Sequence, residues 1–223
     1  MAKLVITIDG PAGSGKSTVA KRVAKKLGIS FLDTGAMYRA VTLAAMQADA
    51  DMEDQDQLLG VLNSVVFGFT VESGEMIVSI DGSDVTLQIR LPEVTANVRY
   101  VASAPKIREQ LVQMQREFAD GQEKIVTEGR DQGTVAFPEA NVKFFLNAYV
   151  AERAKRRYKE LLAKGQQADL DEIQTAIEKR DHSDQNRKVG PLKPADDAVI
   201  IDTTSLSIDE VVEKLLDYIE KNA

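Results

Sequence analysis

Leu4-Val5-Ile6-Thr7-Ile8-Asp9-Gly10-Pro11-Ala12-Gly13-Ser14-Gly15-Lys16-Ser17-Thr18 stands near the start of the chain and decides its fold. Leu4 to Ile8 is an unbroken branched apolar run, the pattern of a strand covered on both faces in a parallel sheet. Gly10 to Ser17 matches G-x-x-x-x-G-K-[ST] in full, and Thr18 extends the match. Such a loop turns successive backbone N–H groups onto phosphate oxygens at the positive end of the following helix. Lys16 is placed to reach the β- and γ-phosphates of a nucleotide, and the Ser17 hydroxyl to ligate Mg2+. Beyond the loop, Val19, Ala20, Val23, Ala24 and Leu27 recur at helical spacing, and Gly28 stands where a helix C′ residue belongs. A chance glycine-rich turn would lack this flanking strand and helix. ATP is therefore expected on Gly10, Pro11, Ala12, Gly13, Ser14, Gly15, Lys16, Ser17 and Thr18, with Lys16 also catalytic.

A chain of 223 residues suits one domain with an insert or a lid. Lys+Arg 28 against Asp+Glu 35 gives a net charge of −7, a surface that repels nucleic acid and acidic lipid. Any anionic ligand must be met by local basic clusters. Cys is absent, which excludes disulfides and thiolate metal sites and fits a reducing, cytoplasmic compartment. The run Leu4 to Ile8 is too short for a secretory segment, and no stretch approaches the roughly 18 apolar residues that span a bilayer.

Working outward, Ile29 to Leu32 reads as a second strand and Ala36 to Ala48 as a helix, with a boundary in the acidic stretch through Asp56. Val65–Val71 and Met76–Ile80, separated by Glu72-Ser73-Gly74-Glu75, and a third run Val85–Ile89 after Asp81-Gly82, predict an antiparallel meander. Helix resumes at Ala104 with Ser103 as cap and Pro105 in its first turn. Lys124–Thr127, Val142–Leu146 and Ala198–Ile201 read as buried strands. Ala151–Lys164 and Leu170–Asp184 read as charged helices broken at Gly165, and Ser207 with Glu210 forms a capping box. Alternating strands and helices predict a doubly wound α/β core.

The loop alone does not separate a kinase from a GTPase or an ATP-driven machine. No Asn-Lys-x-Asp or Thr-Lys-x-Asp guanine reader occurs, and the chain is short for a mechanical ATPase. A kinase needs positive charge around the moving phosphoryl group and must exclude water. Arg153, Arg156 and Arg157 crowd one predicted helix, either as a lid that closes over the phosphates or as a solvated face. Arg39, after strand two, and Arg130, in Glu128-Gly129-Arg130-Asp131, fall at carboxyl ends of strands, where open α/β sheets bind ligands. Each can grip an acceptor phosphate bidentately, or pair with an Asp to fix its loop. Glu128 and Asp131 can serve the metal or a sugar hydroxyl. Arg180, Asp184 and Arg187, spaced four and three apart, share a face if the helix persists, as a base or ribose reader or as an ion-pair ladder. His182, the only histidine, is expected in solvent.

Leu32-Asp33-Thr34-Gly35-Ala36-Met37-Tyr38-Arg39, Glu128-Gly129-Arg130-Asp131-Gln132-Gly133-Thr134-Val135, Glu152-Arg153-Ala154-Lys155-Arg156-Arg157 and Arg180-Asp181 through Asn186-Arg187 together resemble bacterial cytidylate kinases over nearly the whole chain. The resemblance implies transfer of the ATP γ-phosphoryl group to CMP or dCMP, with Mg2+, by a monomeric cytoplasmic enzyme. The fold it implies is α/β: a P-loop kinase core of parallel sheet flanked by helices, one domain over 1–223. A lid is expected at 151–168 and a small antiparallel insert of the CMP-binding part at 62–98. Residues matching Arg39 and Arg130, with Thr34 for the usual Ser, hold the acceptor phosphate in the family. Those matching Arg108 and Arg187 approach cytosine, and those matching Arg180, Asp131 and Asp184 the sugar. Arg99 departs from the Ser that commonly contacts cytosine, leaving Ser103 as a neighbouring candidate. A kinase for another monophosphate such as UMP, or an ATP-dependent regulatory protein, is the alternative.

Overall fold

The computed structural model describes residues 2–72, 74–163 and 165–222. Its frame is a five-stranded parallel sheet of β1 (Leu4–Asp9), β2 (Ser30–Asp33), β6 (Lys124–Gly129), β7 (Val142–Asn147) and β8 (Val199–Asp202), ordered β2-β6-β1-β7-β8. Both faces are covered, as the apolar runs require. Ile125 of β6 enters a core with Leu32, Met37, Val41, Ile107 and Leu111. Its neighbour Val126 enters the opposite one with Ile6, Ile8, Val19, Phe144 and Leu215. The alternation follows from the two-residue period of a strand.

Helices α1 (Lys16–Leu27) and α8 (Ile208–Asn222) cover the second core; α2 (Thr34–Gln47) and α5 (Pro105–Asp120) cover the first. Gly28 closes α1 at φ 65°, its N–H bonding to Ala24 and Lys25 carbonyls. Before α8 the capping box forms: Ser207 Oγ accepts from Glu210 N at 3.2 Å and Glu210 Oε2 from Ser207 N at 2.8 Å. No described helix is long and apolar enough to cross a membrane.

The meander is present but shorter than expected. β3 (Phe67–Glu72) pairs antiparallel with β4 (Glu75–Ile80), and only Ser83–Asp84 (β5) adds a third strand. The run Val85–Ile89 is not a strand: Thr86 folds back, its N–H donating to Asp84 Oδ1 at 2.8 Å and its hydroxyl accepting from Val78 N at 2.9 Å. A 3-10 turn at Gln88–Arg90 follows. Two helices add to the expected elements. α3 (Gln55–Ser64) starts where a boundary was expected, with Asp54 accepting from Asp56 and Gln57 N–H groups and Leu58, Val61 and Leu62 buried. α4 (Pro92–Ser103) opens on proline at its first position. Ser103 therefore ends α4 instead of capping α5, and its hydroxyl donates to Tyr100 O at 3.1 Å. The insert meets the core through an ion pair between Glu75 and Lys21 of α1.

Helix α6 (Val150–Ala163) precedes α7 (Leu170–Asn186), with Gly165 at φ 71° between them. Lys164, inside the expected lid, and Ser73, inside the expected turn, lie outside the described residues.

Candidate active site

Strand register assembles the site. Asp9, last in β1, lies opposite Gly129 of β6, and Glu128 lies opposite Asp33, last in β2. The glycine-rich loop, the Glu128–Asp131 segment and the Asp33–Arg39 segment therefore leave three adjacent strands at one edge of the sheet, where parallel sheets present ligand sites.

Gly10 sits at φ 153°, and a Cβ there would collide with the Leu146 carbonyl, so only glycine lets the loop turn. Gly15 caps α1 with no side-chain hydrogen bond, which leaves first-turn N–H groups open to an anion. Lys16 is 5% exposed and lies across the loop, Nζ donating to Pro11 O at 3.1 Å. Burial, and then the nearby Arg130 guanidinium, push its ammonium down to about 7. A phosphate would reverse both effects, because it supplies the missing counter-charge.

Ser17 Oγ donates to Glu128 Oε1 at 2.7 Å. Burial and the neighbouring Asp33 raise the Glu128 carboxyl against the pull of Lys16. For Asp33, burial is outweighed by Arg90, whose Nη2 donates to Oδ2 at 2.6 Å and holds the carboxyl below its usual range. A hydroxyl and a buried carboxylate beside a phosphate loop are hard oxygen donors of the kind Mg2+ takes. Arg90 comes from the insert and was not singled out in the sequence; its partner is 57 residues away.

The acceptor candidates converge. Thr34 Oγ1 donates to Glu128 O at 2.7 Å, tying α2 to β6. Arg39 Nη1 donates to Gly35 O at 3.0 Å, and its Nε is buried without a hydrogen-bond partner among the described residues. Arg130 pairs with Asp184, Nε to Oδ2 at 2.9 Å, the Arg–Asp pairing that the loop-fixing alternative expected. Asp131 forms an ion pair with buried Arg108 and lies 3.6 Å from Arg187 Nη2. Arg108 also lies over the Tyr38 ring, 5.5 Å from its centroid. Arg180 makes no hydrogen bond or ion pair among the described residues; burial and then Arg130 lower its guanidinium to about 10. Arg187 caps the end of α7 and is not within it, so it reaches Asp184 at 3.9 Å from the chain turn, not from a shared face. His182 is exposed, as expected.

Arg99 stacks on its neighbour Tyr100, 4.7 Å from the ring centroid, and donates to its hydroxyl at 2.9 Å. The Ser103 hydroxyl proton is spent on Tyr100 O, and Arg99 turns its guanidinium onto Tyr100.

The lid arginines differ most from expectation. Arg153 is buried beneath the loop and not poised above it, because the first turn of α6 packs on Gly13. It donates to Ala12 O at 2.9 Å and Ala148 O at 2.9 Å and pairs with Asp181 at 2.6 Å. Arg156 is spent on Thr203, donating to Oγ1 at 3.2 Å. Arg157 lies in solvent, paired with Glu160 at 3.2 Å. Removing Arg153 strands the buried Asp181 carboxylate, which typically costs about 3 kcal/mol or more. Arg153→Ala is expected to lower Tm by about 10 °C. Arg157→Ala is expected to move it by less than about 2 °C. Thermal melts of both variants check this; an unmoved Arg153→Ala contradicts the bracing role.

Comparisons with known proteins follow the same line. A sequence profile described as cytidylate kinase matches residues 6–221. A protein of Lactobacillus johnsonii named cytidylate kinase is 48% identical over 216 residues, covering 97% of this chain and 94% of that one. The Streptococcus sanguinis protein of the same name is 49% identical over 225 residues, covering 100% and 97%. Among solved structures, an uncharacterized protein from Eubacterium ventriosum superposes with TM-score 0.53 at 15% identity, covering 98% of this chain and 99% of that one, a likeness of fold alone.

Proposed function

The chain belongs to the cytidylate kinase family and phosphorylates CMP and dCMP, and on that footing we propose that ATP lies on the glycine-rich loop while Arg39 and Arg130 deliver the acceptor phosphate to it. The observation that carries the reading is the register that sets Glu128 against Asp33 and Gly129 against Asp9. The segments that leave three adjacent strands then lie side by side at one edge of the sheet.

An oxygen of the acceptor phosphate attacks the γ-phosphorus in line. A new P–O bond forms as the bond to the β-phosphate bridging oxygen breaks, and ADP leaves. The acceptor phosphate is largely ionised near neutral pH, so no general base is required; positioning and charge neutralisation carry the rate. Lys16 balances charge on the donor phosphates. Arg39, with its unpartnered Nε, and Arg130, released from Asp184, hold the acceptor bidentately. Asp184, Asp131 and Arg180 face the sugar, a reading supported by the pairing of Asp184 with Arg130 at 2.9 Å. Arg108 and Arg187 face cytosine beside Tyr38.

Ser17, with Glu128 behind it, would hold Mg2+. When bound, the ion neutralises phosphate charge. Initial rates of ADP formation with CMP, dCMP, UMP and AMP test the acceptor. We expect kcat/KM for CMP and dCMP to exceed that for AMP by about 100-fold or more, since a site that hydrogen-bonds one base rejects another. Equal rates across the panel would contradict the assignment of Arg108 and Arg187.

A further inference from the structure

Asp9 takes no part in the mechanism above, yet it is 4% exposed and carries a carboxylate. It accepts from Gln132 N at 2.9 Å through Oδ1 and from Gly133 N at 2.8 Å through Oδ2. No ion pair involving Asp9 is formed among the described residues, and burial pushes its carboxyl up to about 7 against those two N–H groups. A buried carboxylate is a poor space filler, because its desolvation is repaid only by good hydrogen-bond geometry.

That geometry acts on one place. β6 ends at Gly129, so Arg130 and Asp131 have left the ladder, and a single π-helical turn begins at Gln132. Arg130 and Asp131 thus hang between the last strand residue and two amides fixed by Asp9. The Gln132 side chain is secured separately, accepting from Thr127 Oγ1 at 2.8 Å and donating to Gln115 Oε1 at 3.2 Å. Gly133 is pressed close: a Cβ there would stand 3.0 Å from Thr7 Oγ1, itself buried without a partner. Asp9 meanwhile is the residue immediately before Gly10.

We propose that Asp9 is a positioning residue for the acceptor, stapling the loop that carries Arg130 and Asp131 to the strand that leads into the phosphate loop. The two N–H groups need two acceptors on one rigid side chain. Asn offers one oxygen and turns an NH2 toward the other N–H. The inference rests on the reading of Arg130 as an acceptor ligand.

Asp9→Asn, assayed at pH 8 where the parent carboxylate is ionised, is the test. Affinities for CMP and ATP are measured separately by calorimetry, with turnover and a thermal melt alongside. A folded Asp9→Asn protein is expected to lose CMP affinity and kcat by about 10-fold or more each, while ATP affinity stays within about threefold. CMP affinity and kcat within about twofold of the parent, or equal losses for both nucleotides, would overturn the proposal. Should Asp9→Asn not fold, Gly133→Ala pushes the same amide off the carboxylate. It must show the same CMP-selective loss; CMP affinity within about twofold of the parent also overturns it. The parent chain is run throughout. A parent that forms no CDP defeats the reading of Arg130 itself, whereas an active parent with an indifferent Asp9→Asn defeats only the staple.

Discussion

Lys16→Ala is expected to lower kcat by about 1,000-fold or more while ATP affinity falls far less, the pattern of a charge that matters most as the phosphoryl group moves. The side chain is buried, lies across the loop through Pro11 O, and carries an ammonium held down by burial and by Arg130. It is thus preorganised at a cost, and a developing negative charge recovers that cost more fully than the ground-state phosphates do. Lys16→Arg should not rescue, because a planar fork does not replace a compact ammonium in a closed loop. Single-turnover rates with saturating ATP and CMP give the comparison; a loss below about tenfold would remove Lys16 from the transition state.

Arg130→Ala should strike the other substrate. Two charge-assisted bonds to a phosphate are lost, and together they are worth about 100-fold or more in acceptor affinity. We expect KM for CMP to rise and kcat to fall by about that factor each, with ATP affinity little changed. The variant also removes the nearer partner of Asp184, leaving Arg187 at 3.9 Å as its remaining ion pair and an under-compensated carboxylate beside the incoming nucleotide. Asp184→Asn added to Arg130→Ala should therefore recover part of the loss. Steady-state kinetics with each nucleotide varied in turn checks both statements, and normal CMP parameters in Arg130→Ala would contradict the assignment.

The parts of this site that are legible in sequence are those whose signal is local. Strand, loop and helix over residues 4–27 carry their own punctuation, with Gly10 at the turn and Gly28 at the helix end. Arg39 and Arg130 could be placed because each follows a strand. The α4 helix was hidden by its Val94, Val98 and Val101, branched residues that suit strands and are drawn into a helix here by burial at helical spacing. For α3 the signal is local as well: Asp54 as cap, followed by Leu58, Val61 and Leu62 at helical spacing.

What could not be read was pairing over distance. Arg153 looks like its neighbours Arg156 and Arg157 in the sequence. Only the packing of α6 on the phosphate loop separates a buried brace from a solvated side chain. Arg90 meets Asp33, and Asp9 meets Gln132 and Gly133, through chain separations that no local spacing encodes. The ion pairs of Asp131 with Arg108 and Arg187 likewise join three segments.

The most direct measurement follows the atom that moves. With ATP labelled with 32P at the γ-position, Mg2+ and CMP, label should appear in the β-phosphate of CDP in step with ADP, with little released as inorganic phosphate. Label recovered as inorganic phosphate, with none in CDP, would contradict transfer between two nucleotides held at adjoining strand ends.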